Sequence, residues 1–587
     1  MLSLSIFLSI WNTFTPKRKS KSCRIIALGT IATFFELVGI GMLIPVISVV
    51  INGGAGTEES AFFDFLNKKF GVSSVTEALI IALSMMLALA LIKVTVLTIY
   101  AKRISGFIFG LQAEITNRMF RSYLLKDYIF HARNNSSDLI RNIFEEVALC
   151  VGTVFKTILT MIADLVLMFA YIVLALVFLP TSVLAIGAVF LGAAFMVNSF
   201  LRRKVEPFSE KRHNAAGERL RRLQEALNGI KELKVFGQEH SATHQFNAVN
   251  REYATAGQNY SYISSLPGLW LEFIGTVGIF FTIAFMALSG YENHAIASTL
   301  GVLIIALFRC MPAASRLVSG MQAVAYGKPA VEKVCDACKS DEEYDSKTVD
   351  RNTEFVCKQI EDKIELKNVS YTYPGTDREV LSGINIEIKK GEIIGIMGPS
   401  GSGKTTLIDL ILGLLTPASG KIYCDGICND DIKDWRAQFS YVPQRVFLLD
   451  DTIENNITFS FEVKSSIDSD RMSAALKGAG LEEFIGKLPN GLSESVGEIG
   501  SKISGGELQR IGIARVLYRD SPIIVFDEST SALDPETEAS VMKSIAELRG
   551  EKTILIVSHK KTPLQYCDRV IHLEEVGIKL EHAFREN

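Results

Sequence analysis

One stretch decides the fold of this chain: Gly398-Pro399-Ser400-Gly401-Ser402-Gly403-Lys404-Thr405-Thr406. It fits the phosphate-loop pattern G-x-x-x-x-G-K-[ST] with no departure. The apolar run Glu392–Met397 before it predicts a buried strand, and the run Thr406–Leu415 after it predicts a helix. This strand-loop-helix context is what the motif requires, so the stretch predicts a binding site for a nucleotide.

The residue types of the loop suit a polyphosphate. Glycines let backbone N–H groups turn inward around phosphate oxygens, and the helix N-terminus adds a partial positive charge. Lys404 supplies a charge for the β- and γ-phosphates, and Thr405 supplies a hydroxyl group for Mg²⁺, so ATP and Mg²⁺ are the expected ligands. The loop residues expected to bind them are Gly398, Ser400, Gly401, Ser402, Gly403, Lys404, Thr405 and Thr406.

Two acidic residues end another apolar run, Pro522–Glu528. At the carboxyl edge of a sheet, Asp527 is suited to the Mg²⁺ shell, and Glu528 is suited to orienting or deprotonating the attacking water. Solvated carboxylates at a strand end are the alternative for this run taken alone. The segment Ile503–Arg510 counts against that alternative, because its Ser-Gly-Gly at the start of a helix forms a second phosphate-binding end.

The composition divides the chain into two kinds of sequence. The 587 residues are 48% hydrophobic, and long stretches before residue 320 carry almost no charge. The net charge of −3 argues against a nucleic-acid partner, since nucleic-acid binders usually carry a basic face. We therefore expect an α-helical membrane domain followed by a soluble α/β domain.

Six apolar runs are long enough to cross a bilayer, which takes about 20 residues. Their approximate bounds are Ile25–Val50, Ala78–Tyr100, Val151–Leu179, Ser182–Phe200, Ile263–Leu288 and Ala295–Met311. Lys17-Arg18-Lys19 precedes the first run, which places the N-terminus in the cytoplasm by the positive-inside rule. Six spans return the chain to that side. The charged, helix-periodic stretches Ala101–Glu146 and Arg202–Tyr260 are expected to extend the membrane helices into the cytoplasm.

Two shorter segments have predictions of their own. Ala61–Phe70 has apolar residues at helical spacing, which predicts an amphipathic helix either on the outer membrane surface or packed on protein. The acidic stretch Asp336–Gln359 is predicted to be a linker between a membrane domain, residues 1–335, and a nucleotide-binding domain, residues 360–587. Cys335-Asp336-Ala337-Cys338 has C-x-x-C spacing, but without a second such pair we expect reduced thiols.

The soluble half resembles the nucleotide-binding domain of ATP-binding cassette (ABC) transporters, with the main motifs in order. The resemblance implies that Tyr373 stacks on adenine, that Gln444 senses Mg²⁺ and the membrane domain, and that His559 is the switch residue at the γ-phosphate. Ser504-Gly505-Gly506-Glu507 matches the signature motif, in which the family usually has glutamine last, and Ser531-Ala532-Leu533-Asp534 matches the D-loop. The expected catalytic residues are then Glu528, His559 and Gln444, and the expected metal ligands are Thr405, Gln444 and Asp527.

The same resemblance implies a dimer. In this family two nucleotide-binding domains close head to tail, so that ATP lies between the phosphate loop of one and the signature of the other. This chain carries one of each, and a homodimer would have two complete sites.

The membrane half is similar to that of exporter half-transporters. Two of its stretches, Phe34–Pro45 and Leu307–Arg316, look like those of bacterial lipid-linked oligosaccharide flippases. Tyr128–Leu139 and Phe236–His240 look like the coupling helices that touch the cassettes in such transporters.

Charged residues inside the apolar spans are candidates for the cargo site, because charge is costly there. Glu36, Lys93 and Arg309 lie in such spans, and Arg316 shares a helix face with Arg309 if Pro312 leaves the helix regular. A cationic cavity suits a pyrophosphate-linked glycolipid. Internal salt bridges, such as Glu36 with Lys93, are the alternative, and for that pair the sequence favours neither.

The expected function is ATP-driven flipping or export of a lipid-linked oligosaccharide across the bacterial inner membrane. The same machine with another amphipathic cargo, such as a lipid, peptide or drug, has the same ATP motifs and stays open. A soluble cassette ATPase is disfavoured by the long apolar spans.

Overall fold

The computed structural model describes residues 8, 10–11, 14–41, 75–178, 181–289, 293–350, 360–431, 435–461, 467–497, 503–574 and 577–582. Contacts divide the chain into two units. The first comprises Met1–Lys126 and Phe130–Lys347, and the second comprises Asp127–Ile129 and Thr348–Asn587. The predicted amphipathic helix at Ala61–Phe70 lies outside the described residues.

Helices make up the described part of the chain from residue 16 to residue 350. They are α1 (Pro16–Gly41), α2 (Val75–Leu124), α3 (Tyr128–Arg133), α4 (Ser136–Arg141), α5 (Lys156–Phe178), α6 (Thr181–Asn228), α7 (Ile230–Phe236), α8 (Glu239–Leu288), α9 (Asn293–Tyr326) and α10 (Lys328–Asp350). Two π-helical segments, Asn142–Glu146 and Ala148–Phe155, lead into α5.

Three of these helices are far longer than a membrane is thick. α2, α6 and α8 have 50, 48 and 50 residues. At 1.5 Å per residue each is roughly 75 Å long, against about 30 Å for the hydrocarbon core. These helices continue beyond the predicted apolar runs, to Leu124 in α2 and to Asn228 in α6. Among the described residues, the stretches long and apolar enough to cross a membrane are Leu83–Leu124, Ser136–Ala170 and Glu239–Leu288.

The predicted linker begins as a helix. Val331, Val334, Cys335 and Cys338 recur at helical spacing along α10, and all four are buried in the core of the first unit. Because this apolar face anchors the helix, the regular structure continues into the acidic stretch as far as Asp350. Cys335 and Cys338 are thiols and do not form a disulfide with each other.

The second unit contains two sheets. Its strands are β1 (Lys363–Thr372), β2 (Glu379–Lys389), β3 (Ile393–Met397), β4 (Ser419–Cys424), β5 (Ile427–Cys428), β6 (Phe439–Val442), β7 (Ile523–Asp527), β8 (Thr553–Val557), β9 (Arg569–Glu574) and β10 (Gly577–His582). The helices of this unit are α11 (Lys404–Ile411), α12 (Ile453–Thr458), α13 (Ser469–Gly478), α14 (Glu482–Lys487), α15 (Gly505–Arg519), α16 (Pro535–Ala546) and α17 (Lys561–Leu564).

The topology separates the antiparallel strands from the parallel ones. One sheet has the order β2-β1-β4-β5 and is antiparallel. The other has the order β10-β9-β3-β8-β7-β6, in which all strands but β10 run parallel. The strands β7 and β8 are buried at every position, as expected for parallel strands covered on both faces.

The helix after the phosphate loop is shorter than the predicted run Thr406–Leu415. It ends at Ile411, and Gly413 follows with a φ of 69°. A residue with this left-handed conformation terminates a helix, and glycine adopts it without steric cost. The side chains of Leu412 and Leu415 are buried in the core beyond the helix end.

Candidate active site

The register of the parallel sheet brings two predicted motifs to one edge. Ile396 of β3 is paired with Val557 of β8, which is paired with Asp527 of β7. Adjacent strands lie about 4.8 Å apart, so β3 and β7 are separated by about 10 Å. The phosphate loop follows β3, and Glu528 follows β7. Both motifs therefore begin at the carboxyl ends of two parallel strands with only β8 between them, at the sheet edge where nucleotide sites form.

Two glycines shape the phosphate loop. Gly401 and Gly403 have φ angles of 82° and 91°, values that side chains with a Cβ rarely adopt. A Cβ at Gly403 would also come within 2.8 Å of the side chain of Leu381. Gly403 is the N-cap of α11, so the first N–H groups of that helix face the loop.

Two polar groups in the loop fit a phosphate ligand. The Lys404 Nζ atom donates to the backbone carbonyls of Gly398 and Pro399, both at 2.9 Å, which holds the ammonium against the loop. Burial lowers the pKa of Lys404, against the opposing effect of the nearby acids. The Oγ atom of Ser402 is buried without a hydrogen-bond partner in the described residues. A phosphate oxygen would satisfy both groups, so the loop fits the triphosphate of ATP.

The predicted adenine-stacking residue lies beside the loop helix. The Tyr373 hydroxyl is 3.1 Å from Oγ1 of Thr406, and 38% of the residue is exposed. Its neighbour Tyr371 meets it edge to face, with ring centroids 5.0 Å apart. Thr405 is exposed on α11 next to the loop. The ring of Tyr373 is thus fixed beside the phosphate loop and has exposed area for stacking.

The three predicted catalytic side chains come together in the structure. Gln444 Nε2 donates to Glu528 Oε2 at 2.7 Å, and His559 Nε2 lies 2.8 Å from Glu528 Oε1. Glu528 has a φ of 48°, which for a residue other than glycine costs roughly 1 kcal/mol or more. The carboxylate is therefore held by two partners from separate segments, on a backbone turned sharply at the end of β7.

Asp527 is the last residue of β7 and directly precedes Glu528. It is buried, and the Tyr441 hydroxyl donates to its Oδ2 atom at 3.2 Å. Burial raises the pKa of Asp527, and the charge of Glu528 raises it further. Asp409 of α11 is also buried, and burial together with the charge of Asp527 raises its pKa to about 6. A divalent cation beside Asp527 would relieve this crowding of negative charge, so the acidic edge fits Mg²⁺.

Sequence reasoning missed Tyr441 and Asp409. Each had a weak signal: a tyrosine in the last strand before Gln444, and an acid in the otherwise apolar run after Thr406.

The signature residues form a capping box at the start of α15. Glu507 N donates to Ser504 Oγ at 3.3 Å, and Ser504 N donates to the Glu507 carboxylate at 2.8 Å. The Ser504 hydroxyl also lies 2.7 Å from that carboxylate. The carboxylate of Glu507 thus accepts a hydrogen bond from the Ser504 hydroxyl. The ABC family usually has glutamine at the position of Glu507. Gly505 and Gly506 follow, next to the backbone and side chain of Ala532.

The D-loop is fixed to α15 and to α16. Gln509 Nε2 donates to Ser531 Oγ at 3.2 Å, and its Oε1 accepts from Ala532 N at 2.9 Å. Asp534 is the N-cap of α16 and accepts from Thr537 N at 2.9 Å. Sequence reasoning missed Gln509, whose position inside α15 gave no sign that it joins the signature helix to the D-loop.

The charged residues predicted for the cargo site differ in burial and in ion pairing. Arg316 forms a bidentate pair with Asp164 of α5, with Nη2 at 2.6 Å from Oδ1 and Nε at 3.1 Å from both oxygens. Sequence reasoning did not pair Arg316, although Asp164 stands out as the acid in an apolar run. Lys93 is half-buried in α2. Glu36 and Arg309 belong to α1 and α9, but their side chains lie outside the described residues.

Arg309 and Arg316 belong to one continuous helix, α9. α9 runs through Pro312 without interruption from Asn293 to Tyr326. Arg309 and Arg316 are seven residues apart, so they lie near one face of this helix.

Known proteins match both halves of the chain. The model of the ABC transporter transmembrane region matches residues 25–311, and the model of the ABC transporter domain matches residues 381–531. The ATP-dependent lipid A-core flippase of Syntrophus aciditrophicus (strain SB) is 30% identical over 80% of this chain and 77% of its own length. That of Cupriavidus metallidurans is 24% identical over 96% of this chain and 91% of its own.

A solved structure shares the fold over nearly the whole chain. A bacterial Atm1-family ABC exporter with ATP bound superposes with a TM-score of 0.77 at 20% identity, covering 97% of this chain and 95% of its own. The helical unit precedes the α/β unit in the order of an exporter. The chain therefore belongs to the ABC transporter family, as an ATP-hydrolysing exporter with its transmembrane region and its ATP-binding domain on one polypeptide.

Proposed function

We propose that two copies of this chain form a transporter that uses ATP to flip a lipid-linked oligosaccharide across the bacterial inner membrane. The N-terminus and the ATP-binding domain face the cytoplasm in this proposal, as the basic residues Lys17-Arg18-Lys19 at the start of α1 indicate. The single observation that carries the ATP-driven part is the clamp on Glu528, with Gln444 and His559 on its two carboxylate oxygens.

The loop and its neighbours bind the nucleotide. Lys404 and the N–H groups of α11 hold the phosphates, and Tyr373 stacks on the base. Thr405, Gln444 and Asp527 would hold Mg²⁺, which supplies positive charge to the phosphates when bound. Asp527 is kept in place by the hydroxyl of Tyr441.

Glu528 acts as the general base in this mechanism. Its carboxylate orients the attacking water and accepts the water's proton as the oxygen bonds to the γ-phosphorus, while the bond from that phosphorus to the β–γ bridging oxygen breaks and ADP leaves. Gln444 and His559 fix the rotamer of the carboxylate, since each contacts a different oxygen. We also assign His559 to the γ-phosphate, a contact that would make the position of Glu528 depend on bound ATP.

The second copy completes each site. Ser504 caps a helix of 15 residues, whose N-terminus offers N–H groups and a partial positive charge to an anion. We assign that anion to the γ-phosphate of the ATP bound by the partner. The hydroxyl of Ser504 must then leave the carboxylate of Glu507 to reach the phosphate.

The cargo assignment rests on the membrane half. Arg309 lies about 16 residues from the start of α9, or roughly 24 Å along the axis, which favours a place within the membrane. A guanidinium there needs an anion or water, and a pyrophosphate matches its forked donors. Arg316 is already paired with Asp164, so Arg309 carries most of this proposal.

The names of the relatives support a second candidate cargo. The relatives that match most of the chain are named lipid A-core flippases. Lipid A-core is therefore the alternative to a lipid-linked oligosaccharide, and both place an amphipathic glycolipid in the same path.

One paired assay tests the cargo. Arg309→Ala is expected to abolish flipping of a lipid-linked oligosaccharide in proteoliposomes, while the same preparation keeps most of its phosphate release. Arg309→Lys, which keeps the charge but loses the forked pair of donors, is the matched control and should retain part of the transport.

Full transport by the alanine variant removes Arg309 from the cargo path. Equal loss of flipping and phosphate release assigns it a structural role instead. Flipping of lipid A-core but not of the oligosaccharide by the wild type selects the alternative.

A further inference from the structure

A groove between α6 and α8 is lined by none of the described residues assigned above to the ATP site or to the cargo. Its volume is about 970 Å³, which is within the range of small-molecule sites. From α6 it is lined by Met196, Phe200 and Lys204, and from α8 by Leu266 and Trp270 among others. It lies entirely within the first unit.

The base of the groove is well packed, and its walls are exposed. Leu201, Val205 and Ile263 are buried together where the two helices meet. Met196 and Phe200, by contrast, are 73% and 62% exposed. The groove is therefore a fixed feature of this helix pair, with a large apolar surface that needs an apolar neighbour.

The groove crosses from an apolar region to a charged one. On α6, Met196 lies in the apolar run that ends near Phe200, whereas Lys204 is the last residue of the run Arg202-Arg203-Lys204. Met196 and Lys204 are eight residues apart, or roughly 12 Å along the helix axis. On α8, Trp270 lies among apolar residues, and Asn259 lines the polar part of the same groove.

Aromatic residues mark this transition. Trp270 and Tyr262 line the groove and are 51% and 63% exposed. Tryptophan and tyrosine are enriched where the hydrocarbon core of a membrane meets the head groups, because their rings are apolar and their tips polar. The groove thus lies at the depth of the lipid head groups and the first part of the acyl chains.

Lys204 lies at the polar end of the groove. The Lys204 ammonium is 4.7 Å from the centroid of the Phe200 ring, so it is held over the groove wall. The residue is exposed on α6. An ammonium at this end and apolar walls at the other match a molecule with a phosphate at one end and hydrocarbon beyond it.

We propose that this groove binds an anionic phospholipid of the surrounding membrane. Lys204 contacts the head-group phosphate, and Met196, Phe200, Leu266 and Trp270 contact an acyl chain. A neutral lipid with the same chains would fill the groove but would gain less from the ammonium. The site concerns the solvating membrane, so it does not depend on which cargo the transporter moves.

Fluorescence of Trp270 tests the proposal directly. The full chain is reconstituted in phosphatidylcholine vesicles that contain a minor, equal mole fraction of chain-brominated phosphatidylglycerol or chain-brominated phosphatidylcholine. The chain has three tryptophans, and the difference between wild type and Trp270→Phe isolates the emission of Trp270. We expect the brominated anionic lipid to quench this emission with roughly fivefold higher apparent affinity, the effect of one lysine near an anionic head group.

Charge variants separate the groove from general attraction to the membrane. Lys204→Glu is expected to remove the preference, and Lys204→Gln to reduce it. Lys211→Glu makes the same change two turns along α6 at an exposed residue outside the groove, and should leave the preference intact. Phosphate release by each variant verifies that it is folded.

Three results would overturn the proposal. Equal quenching by the two lipids in the wild type excludes a site for anionic lipids. An unchanged preference in both Lys204 variants excludes Lys204 as the head-group ligand. Absence of quenching by either lipid means that protein, such as a second copy of the chain, covers the groove.

Discussion

Glu528 is the residue on which ATP hydrolysis should depend most. Its carboxylate is clamped by Gln444 and His559, so the variant Glu528→Gln keeps the shape of the site and loses only the ability to accept a proton. We expect ATP binding to persist and the turnover rate to fall by at least ~10²-fold, within the usual range for loss of a general base.

The measurement is steady-state phosphate release by purified protein, with nucleotide binding measured on the same sample. Glu547→Gln, the same change at the exposed C-terminal end of α16, is the control and should hydrolyse ATP at the wild-type rate. A Glu528→Gln protein that turns over near the wild-type rate would refute the assignment.

The sequence predicted the residues of this site that follow fixed patterns, and it missed those that depend on packing. Glu528 and Lys404 occur in recognisable strand-loop contexts, so their neighbourhood at the sheet edge followed from the order of the elements. Tyr441 donates a hydrogen bond to Asp527 at 3.2 Å, and Gln509 holds the D-loop through hydrogen bonds to Ser531 at 3.2 Å and Ala532 at 2.9 Å. Such bonds depend on which strand and which helix turn face each other, and a sequence pattern alone does not specify that.

At the scale of elements, the pair Asp164–Arg316 joins α5 to α9. Asp164 has only 10% of its side chain exposed, whereas 55% of that of Arg316 is exposed. Removal of the arginine leaves a nearly buried carboxylate without its bidentate partner. Removal of both charges avoids that cost.

We therefore expect Arg316→Met to lower the free energy of unfolding by roughly 1–3 kcal/mol, the cost of leaving one buried polar group unsatisfied. The double variant Asp164→Leu/Arg316→Met should recover much of that loss. The measurement is the midpoint of thermal unfolding in one detergent. If the double variant is as unstable as the sum of its single variants, the two residues do not act as a pair. If Arg316→Met is as stable as the wild type, the contact contributes nothing measurable.

Element bounds were predicted only approximately. The helix α11 begins at Lys404, two residues before the predicted Thr406, and its N-cap is Gly403 with a φ of 91°. The stretch predicted as a linker was judged from its acidic composition, yet α10 continues into it. The reason is the buried face that includes Val334 and Cys338, whose helical spacing was visible but whose packing partners lie far away in the sequence.

At the scale of the whole molecule, the chain has one phosphate loop and one signature. The head-to-tail model pairs the loop of one copy with the signature of the other.

Ser504→Arg is therefore expected to block ATP-dependent closure, because it removes the N-cap of α15 and puts a bulky side chain where the γ-phosphate of the partner's ATP belongs. Ser469→Arg changes an exposed serine at the start of α13 and is the matched control. Crosslinking of the two ATP-binding domains with ATP should fall in the first variant alone.

A mixed dimer makes this test decisive, because the model fixes which residues share a site. A chain with Lys404→Ala has a defective loop and an intact signature, and a chain with Ser504→Arg has the reverse. When the two are combined, the head-to-tail arrangement puts both defects into one site and leaves the other site complete. ATP-dependent crosslinking should then reappear in the mixed dimer, although both parent homodimers lack it. If each loop instead worked with the signature of its own chain, every site would contain one defect, and the mixture would be as inactive as its parents.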